Sequence, residues 1–196
     1  MCGRYYVDDE TAKEIERIIR NLDKRLKAAP KYGEIYPTNN AMVVQSDDGQ
    51  SILSNMSWGF PQYQRKGVIF NARSETALEK RTFSSSAKQR RCIIPARGFY
   101  EWDKDKNKIA FERPNKQAML LAGIWNTYGL DERFVILTTD ANESMQNIHD
   151  RMPLIIEPSE IDNWLHDDNS VEFLLHKRPG ELLIAEGSVQ QTLDLQ

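Results

Sequence analysis

Cysteine and histidine are scarce in this chain, with 2 of the first and 3 of the second among 196 residues. Cys2 and Cys92 make no disulfide framework. With the scattered His149, His166 and His176 they make no metal-ligand pattern either, so no metal is assigned and a reducing, cytoplasmic-type compartment is expected. Long hydrophobic runs are missing too. No apolar stretch approaches the ~18–20 residues of a membrane span, and acids and lysine follow the first residues too closely for a signal region. Surplus positive charge is also absent: 26 Lys and Arg face 29 Asp and Glu, a net charge of −3. That excludes nucleic-acid binding by bulk charge and leaves only local patches. One candidate patch is KRTFSSSAKQRR (80–91), with five basic residues and no acid, whereas acids gather in EPSEIDNWLHDDNSVE (157–172).

The remaining composition, 40% hydrophobic and 28% charged, is that of an ordinary globular protein, and the length fits one domain over 1–196. Apolar residues at Ala12, Ile15, Ile18, Ile19, Leu22 and Leu26 have helical spacing over 11–27, with Thr11 and Glu14 placed as a capping box. PKYGEIYPTNN (30–40) reads as a loop, and Asp48-Gly49 between two apolar segments as a hairpin turn. Short strands are expected at 91–102, 108–113, 118–128 and 133–141, with a last one over 181–187. Helices are expected around 74–90, 142–149 and 159–176. Many short strands without βαβ alternation predict an antiparallel α+β fold.

Four stretches set a residue of catalytic type among apolar, turn-forming or basic neighbours: MCGRYY, FNARSET (70–76), GFYEW (98–102) and NIHDRMP (147–153). Their Cys2, Asn71, Glu101 and His149 are a nucleophile, an orienting amide, a carboxylic acid/base and a proton carrier. Each also has a purely structural reading: an incidental strand cysteine, a turn asparagine, an exposed strand carboxylate, a histidine at a helix end. If Met1 is removed, Cys2 carries an α-amine and a thiol on neighbouring atoms. Cysteine is small enough at position 2 for that trimming, and Gly3 does not obstruct it. Cys92, in the apolar RCIIP segment, reads as a buried structural thiol.

The chain resembles the SOS-response-associated peptidase (SRAP) family. Met1-Cys2-Gly3-Arg4, Pro37-Thr38-Asn39, Trp58-Gly59, NARSET (71–76), RRCIIPARGFYEW (90–102), AGIW (122–125) and IHDRMP (148–153) carry the resemblance, in order. Two places depart from the family pattern: Tyr36 stands where a smaller residue is usual, and Pro61 follows Trp58-Gly59 at a tighter spacing. The resemblance implies a mainly antiparallel, barrel-like β core with flanking short helices. It also implies covalent attachment of Cys2 to the ring-opened aldehyde of an abasic site in single-stranded DNA, as a thiazolidine that shields the lesion.

By the same resemblance Asn71 holds the N-terminal residue, Glu101 is the general acid/base, and His149 holds the opened sugar and moves a proton. Arg4, Arg73 and Arg151 would grip flanking phosphates, and Trp58 and Trp102 would stack on neighbouring bases. No cofactor is implied. A monomer is expected, cytoplasmic and associated with the nucleoid when on DNA. Two other readings use the same residues: an N-terminal-nucleophile cysteine peptidase, in which the arginines and the basic stretch are idle, and a non-covalent reader of modified bases, in which Cys2 is dispensable.

Overall fold

The structure, a computed structural model, describes residues 2–22, 33–63 and 65–185, with the backbone alone for 19–22. The chain begins with β1 (Tyr5–Val7), α1 (Asp9–Leu22), β2 (Gly33–Ile35) and a hairpin of β3 (Asn40–Asp47) and β4 (Gln50–Trp58). Three short strands follow, β5 (Phe60–Pro61), β6 (Val68–Ile69) and β7 (Asn71–Arg73), then α2 (Ser84–Gln89). Next come β8 (Arg91–Ala96), β9 (Gly98–Trp102), β10 (Lys108–Glu112), β11 (Met119–Tyr128) and β12 (Asp131–Asp140). The chain closes with β13 (Arg151–Pro153), β14 (Ile155–Ile156), α3 (Ile161–His166), α4 (Val171–Leu175) and β15 (Leu183–Ile184).

Strands β3, β4, β12, β11 and β8 close on one another into a barrel. All its pairings are antiparallel except β12 with β4. Strand β7 adds to β12 in parallel, so Asn71 faces Ile136 across the ladder. A second sheet, ordered β15-β10-β9-β1-β2, is antiparallel throughout. The architecture is thus the expected α+β fold with a barrel-like core.

The segment expected as one strand over 91–102 is two, and the break shapes the molecule. Strand β8 belongs to the barrel and β9 to the second sheet. Between them the Arg97 amide donates to the Tyr6 carbonyl at 2.7 Å, turning the chain from one sheet to the other. Arg97 is itself buried, its guanidinium held by the Lys116 carbonyl, Glu112 and Asp8. The core lies inside the barrel and against the inner face of the second sheet, with Trp58, Phe134, Tyr5, Phe60 and Phe99 nearly or fully buried. Trp58 stacks parallel to Phe134 and tilts against Tyr5.

Several local expectations shift for identifiable reasons. Helix α1 starts earlier than the Thr11 capping box, because Asp8 Oδ1 accepts from the Thr11 amide at 2.8 Å and acts as the cap. Glu14 instead reaches the Ala118 amide at 2.9 Å and ties the helix to β11. The remainder of that expected helix, 23–27, lies outside the described residues, as do residues 30–32 of the expected loop and 186–187 of the last strand. Gly33–Ile35 of that loop pair with β1 as a strand. The helix expected over 74–90 is a 3-10 turn at Ser74–Thr76 and a short helix at Ser84–Gln89. Residues 143–148 form turns, not a helix. The helix expected over 159–176 breaks at Asp167, whose carboxylate accepts from the Asn169 amide and Ser170 hydroxyl and starts a new turn. Asp48-Gly49 does make the hairpin turn, both residues at positive φ.

Gly123 marks where the barrel is tightest. A Cβ there would come within 2.3 Å of Ile94 Cδ1, 2.9 Å of the Val135 carbonyl oxygen and 3.0 Å of Cys92 Sγ. Strands β8 and β12, both hydrogen-bonded to β11, leave no room to relax. Gly123→Ala is therefore expected to cost about 1–3 kcal/mol, the range of core overpacking. In a chain of this size the thermal midpoint should fall by about 2–4 °C per kcal/mol. A circular dichroism melt checks this, and an unchanged midpoint contradicts it.

Candidate active site

The site begins at the start of the chain. Cys2 is fully buried. Asn71 Nδ2, at the first position of β7, donates to the Cys2 carbonyl at 2.8 Å and fixes that residue against the barrel. Among the described residues Asn71 Oδ1 is buried without a hydrogen-bond partner. The Cys2 thiol lies near the Arg4 carbonyl, at 3.8 Å. Burial pushes this thiol far above its ordinary pKa, and the neighbouring Glu101 charge adds to the shift, so the resting group is a neutral thiol.

Glu101 comes from the second sheet. Strand alternation turns Phe99 and Glu101 inward, and Tyr100 and Trp102 outward. Glu101 is accordingly only 3% exposed. Burial raises its carboxyl above the ordinary carboxylate range, against the lowering effect of the nearby His149. His149 sits at the end of the 143–148 turns, half-buried. The Arg151 amide donates to its Nδ1 at 2.9 Å, so the neutral ring carries its proton on Nε2. Asp150 Oδ1 also approaches Nδ1 at 3.0 Å, an ion pair when the ring is charged. A hydrogen bond joins Cys2 to Asn71, and Glu101 lies within electrostatic range of both the Cys2 thiol and His149.

Two residues expected at a DNA surface are elsewhere. Trp58 has no exposed surface, its indole N–H donates to the Phe70 carbonyl at 2.8 Å, and its faces lie against other aromatic rings. It is a core residue and offers no face to a base. Arg151 is 8% exposed and both terminal nitrogens of its guanidinium are engaged, while Nε has no hydrogen-bond partner among the described residues. It makes a bidentate pair with Glu75, both contacts at 2.8 Å, and further bonds to Asp140 at 2.5 Å and the Thr138 carbonyl at 2.6 Å. Its role is to lock the His149 segment onto β12 and onto the turn after β7. The NARSET string held the signal for this pair in Glu75, which sequence reasoning left without a role.

Arg73 and Trp102 are exposed, and Arg4 is half-buried. The Arg4 guanidinium lies between two rings, 4.3 Å from the Tyr36 centroid and 5.1 Å from that of Trp102. The enlarged residue at position 36 therefore packs on Arg4. The loop that carries it is pinned by Thr38, held at φ 76 with its amide donating to the Trp58 carbonyl at 2.7 Å. A β-branched residue in that region is strained. Of the basic stretch, Lys80, Arg81 and Lys88 are exposed. Arg91 is instead a buried clamp on the Trp164 and Lys88 carbonyls and Asp168.

The raised Glu101 pKa has a stability consequence. A carboxyl easier to protonate in the folded state contributes stability below its unfolded pKa, about 4.3, and loses it as pH rises through the folded value. Glu101→Gln, which cannot ionise, is expected to raise the thermal midpoint at pH 7–8, with a rise of about 2–4 °C for each kcal/mol relieved. The gain should vanish below about pH 4. Melts across this range test it, and a variant less stable than the parent at pH 8 contradicts it.

The model of the SOS response associated peptidase (SRAP) family matches residues 1–189. YoqW of Bacillus subtilis, named an abasic site processing protein, is 34% identical over 187 residues, covering 87% of this chain and 82% of that one. YedK of Escherichia coli, which bears the same description, is 29% identical over 182 residues, covering 87% and 82%. A crystal structure of a Bordetella bronchiseptica protein superposes with a TM-score of 0.74 at 22% identity, covering 94% of this chain and 98% of that one, a likeness of fold. With the family model matching nearly its whole length, the chain belongs to the SRAP family.

Proposed function

We propose that this protein processes abasic sites in single-stranded DNA by forming a covalent crosslink through Cys2 once Met1 has been removed. The observation that carries this reading is the hydrogen bond from Asn71 that fixes Cys2, and the buried Glu101 within electrostatic range of Cys2 and His149 supports it. The relatives named abasic site processing proteins supply the substrate class. As a DNA-lesion protein the chain would work as a monomer in the cytoplasm, at the nucleoid when bound. Among the described residues no helix is long and apolar enough to cross a membrane.

The chemistry fits the groups. An α-amine has a reference pKa of about 7.7–8.0, against ~10.4 for lysine, so a useful fraction is neutral near pH 7. It adds to the C1′ aldehyde of the ring-opened sugar. The carbinolamine then loses its hydroxyl as water, with a proton delivered by an acid, to give an imine. The Cys2 thiol adds across the C=N bond, its sulfur to carbon and its proton to nitrogen, closing a five-membered thiazolidine. The overall change is the loss of one water, with no redox partner.

Glu101, protonated more readily than an ordinary carboxyl, is the group to give and take these protons. Asn71 Oδ1 is the acceptor for the amine, and His149 Nε2–H is the donor to the opened sugar. A resting thiol that burial keeps neutral suits addition after the imine has formed.

Intact-mass analysis tests the proposal directly. Protein lacking Met1, mixed with a single-stranded oligonucleotide bearing one abasic site, is expected to give a heat-stable species at the summed masses minus one water. Cys2→Ala should give none, and Glu101→Gln should slow its formation by about 10²–10⁴-fold, the range for loss of a general acid/base. Processed protein that forms no adduct would overturn the crosslinking role.

A further inference from the structure

Away from the reacting groups, one carboxylate gathers more donors than a partly exposed glutamate requires. Glu34 on β2 accepts from Arg4 Nη1 at 3.1 Å, Lys108 Nζ at 2.5 Å and the Tyr36 hydroxyl at 2.5 Å. The two cations have supports besides Glu34. Arg4 lies between the Tyr36 and Trp102 rings, and the Lys108 ammonium sits 3.8 Å from the centroid of Tyr100. Lys108 is further fixed by its place opposite Trp102 in the β9–β10 ladder. A cradle of two cations and a phenol hydroxyl, set on aromatic rings, is built for an anion with several acceptor oxygens.

We infer that Glu34 fills a phosphodiester site from within. The Arg4–Lys108–Tyr36 cradle takes a backbone phosphate of the bound strand when the Glu34 side chain swings out, and until then the carboxylate competes with any strand for those donors. The inference rests on the DNA reading above and names a contact point for it. Two cations against one carboxylate leave the cradle a single surplus charge, so a strand gains less there than the two cations alone would give. The Glu34 side chain is 31% exposed, which gives it solvent to move into. Burial pushes its carboxyl up, but the bonds from Lys108 and Tyr36 outweigh that and hold it below the usual range, so the competitor is charged at every pH where DNA would bind. Arg4 also joins the cradle to the chemistry, because it lies two residues from Cys2 and its carbonyl accepts from the Tyr100 amide next to Glu101.

The test is the salt dependence of binding to a fluorescent single strand with no abasic site, for the full chain, Glu34→Gln and Lys108→Met. Glutamine keeps the shape and an acceptor oxygen but not the charge. It should tighten binding by about threefold or more near 50 mM salt and steepen the log–log salt slope by about 0.7, one extra phosphate. Lys108→Met should weaken binding and flatten the slope by a similar amount.

Unchanged or weaker binding by folded Glu34→Gln overturns the inference. So does unchanged or tighter binding by Lys108→Met, because Lys108 would then serve only to hold Glu34. If Glu34→Gln fails to fold by thermal melt, Lys108→Met decides alone. Adduct formation by the parent chain is followed alongside: adduct with no response to Glu34→Gln defeats this inference only, while absence of adduct defeats the crosslinking reading.

Discussion

The hydrogen bond from Asn71 Nδ2 to the Cys2 carbonyl holds the first described residue of the chain at a fixed point of the fold. Chain termini ordinarily fray, because nothing repays the conformational entropy of ordering them. Here the acceptor is a carbonyl with no helix or ladder partner, and the donor stands at the start of β7, which is zipped in parallel to β12 of the barrel. Downstream, β1 pairs with β9 on one side and β2 on the other. Cys2 is therefore held from the barrel by Asn71 and from the second sheet through Tyr5. Glu101, on the second sheet, and His149, before β13, lie within electrostatic range of each other.

Arginine shows how little residue type alone says about role. Arg151, Arg97 and Arg91 are buried and spend their donors on carbonyls and carboxylates of the fold. Guanidinium suits this work, since its flat fork can serve carbonyls and acids at once and it stays charged at any working pH. Arg151 ties the turn after β7, which follows Asn71 directly, to the strand after His149. It thereby fixes the separation of two members of the site without touching a substrate. Arg73 by contrast is exposed, and Arg4 is half-buried and paired with Glu34.

Ordered motif strings pointed to Cys2, Asn71, Glu101 and His149 as residues of catalytic type, and the structure joins the first two by a hydrogen bond and buries Glu101. Strand character was legible from alternation, most clearly in the β3–β4 hairpin with its Asp48-Gly49 turn. The failures have a common origin in tertiary contacts. Arg91–Trp102 reads as a continuous strand, and only the hydrogen bond between Arg97 and Tyr6 shows that it changes sheets. The family resemblance sets Trp58 against bases, yet its indole N–H finds the Phe70 carbonyl and its rings pack on Phe134 and Tyr5. Glu34 sits in a segment whose Pro, Gly and Asn content reads as loop, and its partners come from residues 4 and 108.

Strand β9 shows how one five-residue run divides the labour. Phe99 and Glu101 face inward and are buried, while Tyr100 and Trp102 face outward beside Lys108 and Glu34. Under the proposed function, acid/base chemistry and strand contacts would therefore occupy opposite faces of the same sheet, and a slip of one residue would exchange them. Gly98 guards against that slip. Any Cβ at this position would come within 2.5 Å of the Phe111 carbonyl oxygen and 2.8 Å of the Tyr6 ring, which lies across the gap and stacks on Tyr100. Only the observed register places a side-chain-free residue under Tyr6, so packing on the outer face keeps Glu101 on the inner one.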